Sequence, residues 1–133
     1  MATILVVDDE EVLCDLIQQE LSYYGHEVLT ATGGRKAIEL FAQRRPHLTL
    51  LDLRMPEMSG IAVLKRIRAL DPQARVIILT GGDSEVWEKQ ARELGVTEFL
   101  CKEVGLKVLV EALGKALQQP ARPMGGTGDR QLF

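Results

Sequence analysis

Five polar residues have the types and spacing that phosphoryl chemistry needs. Asp8 and Asp9 follow the apolar run Ile4-Leu5-Val6-Val7, and Asp52 follows Leu48-Thr49-Leu50-Leu51, 44 residues after Asp8. Thr80 follows Val76-Ile77-Ile78-Leu79 after another 28 residues, and Lys102 comes 22 residues after that. Three carboxylates brought close together repel and raise one another's pKa. A hard dication among them removes that penalty. Magnesium prefers oxygen ligands and is usually held by one or two carboxylates plus phosphate oxygens. One acid is then free to act as a nucleophile, as aspartyl-phosphate formation requires. Phosphoryl transfer asks a protein mainly for positioning and charge stabilisation, which a lysine and a threonine hydroxyl supply. Singly, each residue reads more simply: Asp-Asp as a helix cap, Asp52 as a loop residue, Lys102 as a solvated charge, Thr80 as part of a turn. Together on one rim they reverse that reading.

The elements that would place them there alternate along the whole chain. The three apolar runs are short, rich in branched residues and without alternation, as strands covered on both faces are. His26 to Ala31 and Glu98 to Lys102 read as weaker, edge-like strands. Amphipathic helices lie between: Leu13, Leu16, Ile17 and Leu21 mark the first, Ala37, Ile38 and Phe41 the second, and Ile61, Leu64 and Ile67 the third. The fourth, about Ser84 to Leu94, is thinly anchored by Val86, Trp87, Ala91 and Leu94. Leu106, Leu109, Leu113 and Leu117 give the fifth an apolar stripe at helical spacing. Five strand–helix units predict an α/β fold, a doubly wound (βα)5 five-stranded parallel sheet of flavodoxin-like order 2-1-3-4-5. In that order every polar residue named above falls on the carboxyl edge of the sheet. Asp8, Asp9 and Asp52 flank the point where strand order reverses, where such sheets bind ligands.

Bulk composition sets further bounds. At 133 residues, 46% of them apolar, the chain is long enough for one domain with its own core. No apolar run approaches the ~18 residues that would span a bilayer, and no signal-peptide pattern opens the chain, so no membrane role and a cytoplasmic location are expected. The net charge of −3, without a basic stripe, argues against direct nucleic-acid binding. Cys14 and Cys101 form no CxxC and have no His at ligand spacing, so both are expected to be reduced and buried. After Gln119 the periodicity stops. Residues 1–119 read as the domain, and 120–133 as a tail or the start of a linker, compatible with a stand-alone domain or with the N-terminal piece of a longer protein.

The sequence resembles the receiver domains of two-component response regulators (CheY-like domains) over about residues 2 to 118. The resemblance rests on Val7-Asp8-Asp9-Glu10, on Asp52-Leu53-Arg54-Met55-Pro56-Glu57-Met58-Ser59-Gly60, on Thr80, and on Phe99-Leu100-Cys101-Lys102. It implies a phosphoacceptor switch, not an enzyme with a substrate of its own. Asp52 would accept a phosphoryl group from a sensor histidine kinase or a phosphotransfer protein. Asp8, Asp9, Asp52 and the backbone carbonyl of Arg54 would hold Mg2+. Lys102 would contact the phosphoryl group, Thr80 would move toward it, and Phe99 would follow by changing rotamer. The output face would be the fourth helix, fifth strand and fifth helix, a face that also suits a homodimer, with the downstream target or output domain open.

One departure stands out. The family usually has Pro after the lysine, commonly with a cis peptide, whereas Glu103 follows Lys102 here. A cis bond before a non-proline residue costs roughly 2.5–4 kcal/mol, so a trans bond and a rearranged entry to the last helix are expected. Gly33-Gly34-Arg35-Lys36 lacks phosphate-loop spacing and reads as a turn before a helix. His26 and His47 fall on the rim opposite the acids, and Trp87 reads as a packing residue near the site. The competing function is a magnesium-dependent phosphohydrolase with an aspartate nucleophile, but Asp8-Asp9-Glu10 does not match the Asp-x-Asp-x-Thr/Ser motif such enzymes resemble.

Overall fold

A computed structural model describes residues 2–81 and 85–118. Five parallel strands, β1 (Thr3–Val7), β2 (Glu27–Ala31), β3 (Leu48–Asp52), β4 (Val76–Thr80) and β5 (Glu98–Cys101), lie in the order 2-1-3-4-5. Helices α1 (Glu11–Tyr23), α2 (Gly34–Arg44), α3 (Gly60–Leu70), α4 (Glu85–Glu93) and α5 (Leu106–Gln118) follow them in turn. The expected architecture and strand order are those observed. The expected tail at 120–133 and Ser84 lie outside the described residues.

The unalternating runs are unalternating because both faces of the central strands are covered. In β1, Leu5 and Val7 pack toward α2 and α3, whereas Ile4 and Val6 pack toward α1 and α5. Strands β3 and β4 repeat this, with Leu51, Val76 and Ile78 on one side and Leu48, Leu50, Ile77 and Leu79 on the other. Successive side chains point to opposite faces, so both sets of residues along such a strand are mostly apolar, with Thr49 a buried exception in β3. Phe41, Ile61, Leu64 and Ile67 fill the first layer, and Ile17, Leu21, Leu109 and Leu113 the second.

Three expectations need correction. Leu16 is 48% exposed, and Cys14 takes its place in the buried stripe with Ile17 and Leu21; Leu16 sits one residue back from Ile17, about 100° round the helix. Cys101 is free but exposed. Alternation puts it on the same face of the edge strand as Phe99, and the core on that face reaches Phe99 but not the strand's last residue. Trp87 is 38% exposed and Val86 is also exposed, leaving Ala91 as the one buried side chain of α4 among the described residues.

At the opposite rim the histidines serve the backbone. The Ala2 N–H donates to Nδ1 of His26 at 3.1 Å and the Thr3 N–H to Nδ1 of His47 at 2.9 Å. Burial holds the His26 pKa below its ordinary value, which favours the neutral ring that can accept.

The loop from β3 into α3 is shaped by close approach. Ser59 caps α3, its Oγ accepting from the Ala62 N–H at 3.3 Å, and the Gly60 N–H donates to the Leu53 carbonyl at 2.9 Å. A Cβ on Gly60 would lie 2.2 Å from the Asp52 carbonyl oxygen and 2.6 Å from the Leu53 Cα. Both are backbone atoms, so no side chain can swing away. Gly60→Ala should therefore lower stability by about 1–3 kcal/mol, the usual range for forced overpacking. Urea unfolding of the two proteins checks this, and equal midpoints would refute it.

Candidate functional site

The register of the sheet brings the predicted residues to one edge. Val7 pairs with Leu51, so Asp8 and Asp52 are the next residues on adjacent strands. Asp52 pairs with Leu79, and Thr80, one residue on, pairs with Cys101, immediately before Lys102. Asp8 and Asp52 are each only 1% exposed, and Thr80 is also buried. Asp9 faces solvent. Carboxylate oxygens of Asp8, Asp9 and Asp52 all lie within 4.8 Å of one another. The buried Oδ2 of Asp8 accepts no hydrogen bond of good geometry, and its charged neighbour is the Lys102 ammonium, 3.2 Å away. An all-oxygen set with one such buried lone-pair donor fits a hard dication such as magnesium.

Local backbone geometry orients two of these acids. Asp8 Oδ1 accepts from the Glu10 N–H at 2.9 Å, and Asp52 Oδ1 accepts from the Arg54 N–H at 3.1 Å. Each acid thus closes a turn with the residue two further on, leaving its second oxygen facing the rim.

Lys102 does not end β5. It opens a 3-10 turn, Lys102–Val104, and Gly105 at φ 88° then turns the chain into α5. The described residues contain no cis peptide bond, so the expected trans linkage is observed, and the chain enters α5 through that turn. The ammonium still reaches the acids, with Nζ 3.2 Å from Asp8 Oδ2, 3.2 Å from Glu10 Oε1 and 3.3 Å from Asp52 Oδ2. Glu10 is the member sequence reasoning missed. Its signal, a carboxylate next to two others, acquires a role only when Lys102 arrives from 92 residues away.

Phe99 is half-buried at the margin of the core, and the Arg92 guanidinium lies 4.4 Å from its ring centroid, a cation–π contact between α4 and β5. Arg68 of α3 holds the turn just after α4, Nε donating to the Leu94 carbonyl at 2.6 Å and a terminal nitrogen to the Gly95 carbonyl at 2.7 Å. A cleft of about 520 Å³, lined by Asp9, Arg54, Met55, Pro56, Ser59 and Trp87, adjoins the acids.

Burial pushes the Asp52 carboxyl up to about 6, against the Arg54 N–H and the Lys102 charge, and burial likewise raises Asp8. For Lys102, partial burial would depress the pKa, but the Asp52 and Asp8 carboxylates outweigh it and raise the value. A carboxyl whose folded pKa exceeds its ordinary 3.8 costs stability once it ionises in the folded state. The cost is absent below the unfolded value, grows as pH rises, and is complete above the folded value. With a chelator present, Asp52→Asn should stabilise the protein by about 1–3 kcal/mol at pH 8 and by nothing at pH 3.5. Urea unfolding at both pH values tests this, and a variant no more stable at pH 8 would contradict it.

The sequence profile of the response regulator receiver domain matches residues 4–114. The chain is 32% identical to the chemotaxis protein CheY of Thermotoga maritima over 113 residues, covering 84% of this chain and 94% of that protein. It is 40% identical to the transcriptional regulatory protein ZraR of Escherichia coli over 114 residues, 86% of this chain. The chain spans about a quarter of ZraR (26%) and about half of the Bacillus subtilis regulator YkoG (51%). A solved CheY-like receiver domain from Methanospirillum hungatei superposes with a TM-score of 0.84 at 26% identity, over 88% of this chain and 94% of that one. Profile, full-length relatives and strand order agree, and the chain belongs to the receiver domains of two-component response regulators.

Proposed function

We propose that this receiver accepts a phosphoryl group on Asp52 from the phosphohistidine of a sensor histidine kinase or phosphotransfer protein. The observation that supports this most directly is the buried Asp52 carboxylate, with Asp8, Asp9 and Lys102 around it. A carboxylate oxygen of Asp52 attacks phosphorus, a P–O bond forms, and the donor's P–N bond breaks with the electron pair and a proton going to the imidazole. Asp8, Asp9, Asp52 and the Arg54 carbonyl are the residues that would hold Mg2+, which supplies positive charge to the transferring oxygens. Lys102 supplies a second positive charge, and the Thr80 hydroxyl donates to a new phosphoryl oxygen. In this reading the protein works in the cytoplasm as a switch, and residues 120–133 are a tail or lead toward an output domain.

Phosphorylation adds charge and acceptor oxygens at the rim and biases a two-state element. Helix α4 is the candidate for that element, since few buried contacts mark a region of low local stability. Thr80 and Phe99 would pass the change to the α4–β5–α5 face, which would then meet a target, an output domain or a second copy.

Magnesium-dependent labelling by a small phosphodonor should give one acyl phosphate in the wild type and none in Asp52→Asn, and equal labelling of both would overturn the assignment. Amide exchange across residues 85–93 should change on adding magnesium and a phosphate mimic such as beryllofluoride; unchanged exchange there would remove α4 from the switch.

A further inference from the structure

Lys102 is shared among three carboxylates, and they are not equivalent. Asp8 and Asp52 reach it from the interior, whereas Glu10 is 60% exposed and reaches it from the solvent side. Glu10 also donates its backbone N–H to Asp8 Oδ1, so one residue touches both an inner acid and the cation. Glu103, the other carboxylate close by in sequence, accepts from the Cys101 thiol instead.

Without a dication, the ammonium is the counter-ion of Asp8 and Asp52. A dication held by those same carboxylates repels an ammonium at such distances, so the lysine must withdraw from them as the ion enters. Lysine is a point charge on a flexible stem with three rotatable donors and can shift by a small swing. The carboxylate on the outward side, already 3.2 Å from Nζ and outside the Asp8, Asp9 and Asp52 set, is Glu10.

We propose that Glu10 is a positioning residue for Lys102, an outer carboxylate that takes the ammonium when a cation claims Asp8 and Asp52 and keeps it at the rim for the phosphoryl group. The proposal rests on the reading of those acids as magnesium ligands. Magnesium titrated calorimetrically into the wild type, Glu10→Gln, Lys102→Met and the double variant tests it. Glu10→Gln leaves Lys102 with only the inner acids and should weaken magnesium binding by about two- to five-fold, the span expected for an exposed ion pair. In the Lys102→Met background the same substitution should change the affinity far less. Equal weakening in both backgrounds would make Glu10 a distant charge only, and no weakening in the wild-type background would leave it without a role; either result overturns the proposal. A wild type that binds no magnesium would instead sink the reading of the acids. Should Lys102→Met not fold, the side-chain ammonium resonance of Lys102 decides. It should shift on magnesium addition in the wild type and respond differently in Glu10→Gln, and identical responses overturn the proposal.

Discussion

Asp8 and Asp52 are nearly inaccessible to water, and the ammonium of Lys102 lies 3.2 and 3.3 Å from them. Burying a carboxylate is expensive unless it is paired and hydrogen-bonded, and two side by side add repulsion to desolvation. The rest of the site follows from containing that cost. The N–H groups of Glu10 and Arg54 each satisfy one oxygen. The parallel sheet supplies the geometry, since only strands running the same way end on the same rim. A protein selected for stability alone would not assemble this cluster, and the raised Asp52 pKa is the trace of that compromise.

The surroundings of the cluster are unequal. On the α2 and α3 side, Phe41, Ile61, Leu64 and Ile67 are buried almost completely. On the α4 side, among the described residues, one alanine of the helix is buried, Leu94 and Val96 just after it are partly buried against the core, Arg68 makes a pair of carbonyl contacts there, and a guanidinium lies over Phe99. These attachments lie toward the C-terminal end of α4, and Val86 and Trp87 near its start are exposed. A change of charge at Thr80 and Lys102 therefore meets a rigid wall on one side and a lightly held helix on the other.

The opposite rim is built for permanence. His26 and His47 lend ring nitrogens to the amides of Ala2, just before β1, and Thr3, its first residue, where the chain would otherwise leave those donors to solvent. Two residues of a type often associated with phosphoryl transfer thus act as acceptors for backbone N–H groups, at the far end of the sheet from the acids.

Much of this was legible before any fold was known. Apolar runs in β1, β3 and β4 without alternation are those of a sheet covered on both faces, and successive strand–helix units then carry Asp8, Asp52, Thr80 and Lys102 to one edge. The missing proline after Lys102 was also readable, because the cost of a cis peptide is local. What stayed hidden depended on neighbours distant in the chain. That Leu16 turns outward while the expected burial of Cys14 holds depends on which face of α1 meets the sheet, the exposure of Cys101 on how far the core reaches along the edge strand, and that of Trp87 on how little of α4 meets the core. Glu10 is the clearest case. The sequence determined that it stands beside two aspartates, since chain order alone does that. Only the tertiary structure decided that it shares a lysine with them, because a side-chain ion pair needs charges within a few ångströms, and only the closed sheet brings Lys102 within that distance.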